Sequence, residues 1–206
     1  MTTQEFKSAW EASDHSLRPL SIERFKGLNL QQATIDFLTH AGLPGIVAPY
    51  LAFVRDTNDI YDGINRLTKQ YDTLEKEFDK YITIGVDGSG NLIALNTEMN
   101  DRVEWLDHED FSPRYMNNSI HELGELLIIY RDFVDQIQLE NGEDAYLEAN
   151  FTDAQLQNLK QRMEKADAKV LTEDGFWKSE IEMLLENRAE AAKTETTDNE
   201  TQEDHL

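Results

Sequence analysis

The chain has 206 residues with 41 acidic against 19 basic side chains, a formal net charge of -22; this disfavours nucleic-acid phosphates and anionic membranes as partners and favours a cationic one, most naturally a basic protein. The length suits one domain with a sizeable core. The absence of cysteine removes disulfides, thiolate catalysis and Cys-based zinc sites, and neither MTTQEFKSAWEASDHS nor any later stretch is apolar enough for a signal sequence or a span of ~20 residues, so the expectation is a soluble, cytoplasmic protein.

In chain order, QEFKSAWEA sets Phe6 and Trp10 four residues apart in a short helix whose aromatic edge docks on the domain as satellite core. A loop around Ser16 to Pro19 leads to a short helix beginning near Ser21. Leu30, Ala33, Thr34, Phe37, Leu38 and Ala41 keep the spacing of a one-sided helix, which Gly42 ends and Pro44 prevents from continuing. The next stretch, from residue 46 to 78, is the least patterned. Tyr50 to Val54 is β-like, Asp56 to Gly63 is rich in turn formers, and Ile64 to Tyr71 fits either a strand or a short helix. Strands are preferred there because the edges of the sheet that follows must be paired or covered; how residues 45–80 pair is left open.

That sheet is centred on YITIGVDGSGNLIALN, residues 81–96. Ile82, Ile84 and Val86 alternate with their neighbours, as do Leu92 and Ala94, and Asp87-Gly88-Ser89-Gly90-Asn91 between them has the composition of a reversing turn. Arg102 to Asp107 is a third strand, with Val103 and Trp105 on one face and Glu104 on the other; a polar loop then runs through Pro113. Ser119 and Glu122 have capping-box spacing, and Ile120, Leu123, Leu127, Tyr130, Val134 and Ile137 draw one stripe along a helix ending near Gly142. Thr152 caps a second helix with Leu156, Leu159, Met163 and Ala166, and Thr172 caps a third with Trp177, Ile181, Leu184 and Leu185. The resulting fold class is α+β: a curved, mainly antiparallel sheet flanked by helices. Residues 1–187 form one domain, with 152–187 as a helical extension, and the acidic, apolar-poor tail at 188–206 is expected to be disordered.

Asp87, Ser89, Asn91 and Glu98 imitate calcium-loop positions, but Leu92 stands where such a loop needs glycine, and turn chemistry accounts for the residues. His108-Glu109 and His121-Glu122 lack the i, i+4 spacing of HExxH, so they read as solvated surface. No nucleophile elbow, phosphate-binding loop or kinase signature is present, and the expectation is no enzyme, no metal and no cofactor. The set that points to function is acidic: Asp87, Glu98, Asp101, Glu104, Asp107, Glu109 and Asp110, with Trp105 and Tyr115 among them as aromatic anchors for a partner. Reversing Glu104 and Asp107 to lysine is expected to weaken a complex with a basic protein without unfolding the chain.

FLTHAGLPGIVAPYLAF at 37–53, ITIGVDGSGNLIALN at 82–96, RVEWLDHED at 102–110, NNSIHELGELL at 117–127 and LTEDGFWKSEIEMLLE at 171–186 resemble, in this order and spacing, the SUKH superfamily. Within it, the resemblance is to the branch of immunity proteins with an extra amino-terminal Trp segment and a helical carboxyl-terminal extension. It covers most of residues 5–187 and implies a SUKH-like α+β fold. For function it implies neutralisation of a cognate toxin of a polymorphic toxin system, a nuclease or a nucleic-acid deaminase, basic because it engages phosphates. The alternative within the superfamily is a regulatory or scaffolding protein that holds an endogenous partner. The resemblance brings no invariant catalytic set, and it leaves the oligomeric state open.

Overall fold

The computed structural model describes residues 1–203 apart from Asp14 and Glu173, with side chains as far as Lys193; the last three residues of the expected disordered tail lie outside the described residues. The chain opens with α1 (Thr3–Glu11), held at its start by a capping box between Thr2 and Glu5. Phe6 and Trp10 are buried on its inner face, as their spacing requires. β1 (Leu17–Arg18) precedes the short helix expected near Ser21, a 3-10 helix at Ile22–Phe25 with Ser21 at its N-cap, and α2 (Gln32–His40) ends at Gly42 in the left-handed region. There the glycine is required, because a Cβ would run into the backbone of Arg18 and Pro19.

The unpatterned stretch resolves into β2 (Leu43–Pro44), β3 (Ile46–Val47), β4 (Leu51–Phe53), β5 (Asn65–Arg66) and α3 (Leu67–Gln70). Ile64 to Tyr71 is thus both a strand and a helix, joined at Arg66. The hairpin follows as β6 (Tyr81–Val86) and β7 (Leu92–Asn96), then β8 (Arg102–Leu106) and β9 (Pro113–Asn117). β9 lies where the sequence reading places a loop and a helix start. Its PRYMN offers one buried apolar side chain, Met116, and a bulge between Val103 and Glu104 disturbs the pairing, so no two-residue period is visible. The main sheet runs β3-β4-β6-β7-β8-β9 with β5 also on β6, every pairing antiparallel; β1 and β2 pair separately.

Alternation in β6 and β7 sorts the two faces. Ile82, Ile84, Ile93 and Leu95 join Val103 and Met116 in the main core, under the long helix α4 (Ile120–Asn141), which buries Leu123, Leu127, Tyr130 and Ile137. α1 and α2 pack beside α4 on this side. Tyr81, Leu92, Ala94 and Leu106 point the other way into a smaller cluster roofed by Leu67, Leu74, Phe78 and Phe111. α5 (Asp153–Ala166) begins with the expected Thr152 cap, closed by Gln155. α6 (Phe176–Glu203) begins later than the Thr172 cap implied: that hydroxyl donates instead to Lys169 O, and the first turn is led by Gly175, whose carbonyl accepts from Ser179 N. The helix continues into the acidic tail through Ala189–Ala192, residues of high helix propensity.

Candidate functional site

Cross-strand register decides which acids meet. Val86, Leu92, Leu106 and Pro113 lie in one row across β6 to β9, so the Asp87–Asn91 turn and the 107–112 loop emerge side by side at one end of the sheet. Asp87 organises both. Its Oδ1 accepts from Ser89 N and Asn91 N, and its Oδ2 accepts from Asn91 Nδ2 and Trp105 Nε1, all at 2.9 Å. Asn91 Oδ1 then accepts from His108 N at 3.1 Å, which ties the loops together. In the second loop Asp107 Oδ1 accepts from Glu109 N at 2.9 Å and Asp110 Oδ1 from Ser112 N at 2.8 Å; the Ser112 side-chain and backbone bonds hold the Asp110 carboxyl below its ordinary range. These bonds fix the loop backbones: among the described residues Asp87, Asp107, Glu109 and Asp110 form no ion pair, and the Arg114 charge acts on Asp110 from a distance. Arg114 stands over the Trp105 ring at 5.4 Å, and Trp105 itself is half-buried with its edge against Phe176. Tyr50, 58% exposed, lies against the turn at Gly88.

One further carboxyl belongs to this end. Glu180 of α6 has its Oε2 buried without a hydrogen-bond partner, and burial, reinforced by the Asp87 charge, pushes its pKa up to about 8. The sequence hides it, since it sits directly beside Ile181 of the apolar stripe and looks like an ordinary flanking charge.

The remaining predicted residues do not join the site. Glu98 and Asp101 occupy the β7–β8 connection at the opposite end of the sheet, Glu98 exposed and 3.8 Å from Lys80. Asp101 is buried and serves the fold: its Oδ2 accepts from Gln31 N at 2.6 Å, so it caps α2 from across the molecule, while its Oδ1 is buried without a hydrogen-bond partner and the nearby Thr34 hydroxyl favours the charged form alongside Gln31 N. Its carboxyl is pushed up by burial against the pull of these bonds. Tyr115 is a strut between sheet and helical extension, donating its hydroxyl to Asp167 Oδ2 at 2.6 Å. His121 is half-buried rather than solvated, with Thr3 Oγ1 3.2 Å from its Nε2 and its ring edge-on to Phe37; burial lowers its pKa.

Glu104 corrects the expectation that it can be reversed without harm. It is 1% exposed, pairs with Arg102, accepts from Asn96 Nδ2 at 3.1 Å and is bonded by the Tyr81 hydroxyl, whose pKa burial and this carboxylate raise together. Replacing it leaves those donors orphaned in the sheet. Glu104→Gln is expected to cost about 2 kcal/mol, read as a lower urea midpoint with an unchanged slope. A loss under about 0.5 kcal/mol, the range of ordinary surface sites, would mean that the network is not holding the strands.

Among the described residues no group of three His, Cys, Asp or Glu side chains is placed to hold a metal ion, and no helix is long and apolar enough to cross a membrane. A family model described as SUKH-4 immunity protein matches residues 11–186. No curated protein and no solved structure matches the chain.

Proposed function

The chain belongs to the SUKH-4 immunity protein family, and from that premise we propose that it binds and neutralises a cognate toxin of basic character, a nuclease or nucleic-acid deaminase of a polymorphic toxin system, in the cytoplasm of the cell it protects. The protein acts by occupying the toxin, with no reaction of its own. The observation that carries this reading is the loop end of the sheet, where Asp87, Asp107, Glu109 and Asp110 stand on hydrogen-bonded turns and, among the described residues, form no ion pair. A toxin that engages phosphates presents a basic surface, and opposite potentials accelerate docking. In a protein of net charge -22 this end supplies the local, preorganised part of the field.

The test has two stages. A pull-down from the native extract should recover a basic toxin domain, and co-expression with that domain should restore growth; failure to restore it would end the reading. The purified pair then gives the site: Asp107→Asn/Glu109→Gln/Asp110→Asn, which removes three charges but keeps an acceptor oxygen for the loop bonds, is expected to slow association about tenfold at low salt, with little change in melting temperature and the gap narrowing as salt screens the charges. Association at the parental rate would place the interface elsewhere on the protein.

A further inference from the structure

On the face of the sheet away from α4, the segment carrying α3 covers only part of the surface. Beside it, towards β3 and β4, lies a cleft of about 240 Å³. Its apolar floor is one cross-strand row: Ile46 opposite Ala52, Ala52 opposite Val86, Val86 opposite Leu92. At the rim this row stays open, with Ile46 80% exposed and Tyr61 63% exposed.

Two arginines line the same cleft, Arg18 and Arg55. Six of the other seven arginines pair with an acid, and Arg114 stands over Trp105. Among the described residues Arg18 and Arg55 have neither an ion pair nor a side-chain hydrogen bond. Where acids outnumber bases by more than two to one, two unpaired arginines in one cleft call for an explanation. Arg18 is also held in position: its guanidinium lies against Gly45, where a Cβ would displace it. Asp62 is the one acid lining the cleft, so its local balance is positive in a strongly negative protein.

Guanidinium groups match carboxylates in geometry and charge, and the uncovered apolar row needs apolar side chains to cover it. A small inorganic anion would satisfy only the first requirement. We propose that this cleft binds an extended acidic peptide segment of a protein partner, its carboxylates on Arg18 and Arg55 and its apolar side chains along the Ile46–Val86 row. This site adjoins the hairpin turn of the loop end through Gly90, but the side chains that would hold the peptide are not the acids proposed to face the toxin, so the two readings do not depend on each other.

The full-length protein is titrated, at a salt concentration that screens its overall charge to a range of about 8 Å, against a fluorescein-labelled peptide alternating glutamate and leucine. Matched peptides carry glutamine for glutamate or serine for leucine. Saturable anisotropy below about 1 mM is expected for the first peptide, about tenfold weaker binding for each matched peptide, and about tenfold weaker binding of the first by Arg55→Gln and by Gly45→Ala. Arg55→Gln changes an exposed side chain and leaves the melting temperature unchanged, so its result stands even if Gly45→Ala disturbs the fold. No saturable binding, equal affinity for the glutamine peptide, or indifference to Arg55→Gln would overturn the proposal, as would displacement by sulfate at the peptide's own concentration, which would make the cleft a small-anion site. Because no toxin enters the experiment, failure here leaves the immunity reading intact, and failure of growth rescue leaves this one intact.

Discussion

Trp177→Ala is expected to remove about 4–6 kcal/mol of stability, a large share of the 5–15 kcal/mol that a domain of this kind commands. The indole is 1% exposed, packs tilted against Tyr130 at 5.8 Å and meets Phe176 edge-on at 5.0 Å. Truncation therefore opens a cavity in the main core, which alone costs about 3–5 kcal/mol. It also strands a polar partner, since Trp177 Nε1 donates to Asn117 Oδ1 at 3.0 Å, deep in the protein. Asn117 Nδ2 in turn donates to Asp167 Oδ2 at 3.1 Å, the same oxygen that receives the Tyr115 hydroxyl, while Asp167 Oδ1 accepts from Lys169 N at 3.0 Å. One side chain thus couples β9, α4 and the α5–α6 connection. Trp177→Phe keeps most of the packing and loses the bond, so its expected cost is about 1–2 kcal/mol. Urea melts of the two variants separate the contributions, and a loss below about 2 kcal/mol for Trp177→Ala would mean that the helical extension is an appendage rather than part of the cooperative unit.

Sequence periodicity finds the fold where elements are long enough to show it. The hairpin strands of six and five residues, and α4 and α5 with their Ser119 and Thr152 caps, stand at or within a residue or two of where alternation and capping put them. β3, β4 and β5 have two or three residues each, and two residues have no period. β4 and β5 pair with β6, and β3 with β4, covering an edge whose partners no local pattern announces. β9 escapes for a related reason: its first residue is a proline and three of its five side chains are partly or fully exposed, the composition of an edge strand rather than a central one.

The candidate site was legible as chemistry and only partly as geometry. A run of acids from Asp87 to Asp110 reads as one patch along the sequence, yet β8 lies in the middle of it, and five strand residues carry the chain about 17 Å from one end of the sheet to the other. Asp107, Glu109 and Asp110 therefore stand with Asp87, while Glu98 and Asp101 stand opposite. Glu104 had a sequence sign of its burial, since Arg102 two residues earlier points to the same side of a strand and can pair with it. Glu180 had none, because only the folding of α6 against the hairpin end brings it near Asp87.

Glu180 supplies the second large effect, and its signature is a slope in pH. Its carboxyl faces the charge of Asp87 from the hairpin turn and the hydroxyl-bearing rings of Tyr130 and Tyr146 from α4 and the connection after it. Nothing there compensates a negative charge, so the folded protein holds the proton up to about 8, against an ordinary value of 4.5. The unfolded chain releases that proton near 4.5. Below this pH both states are protonated and the group contributes nothing to pH dependence. As pH rises from 4.5 to 8 the unfolded state alone ionises and is favoured by up to about 1.4 kcal/mol per pH unit; above 8 both states are ionised and the penalty stays constant. Glu180→Gln keeps the shape and removes the titration. The difference in unfolding free energy between variant and parent should therefore be flat below pH 4.5, grow in the variant's favour towards pH 8, and reach on the order of 4 kcal/mol there. The buried amide adds a constant offset, which leaves the slope untouched. Parallel curves from pH 4.5 to 8.5 would show that Glu180 ionises normally in the folded protein, and that the loop end carries its full complement of negative charge at neutral pH.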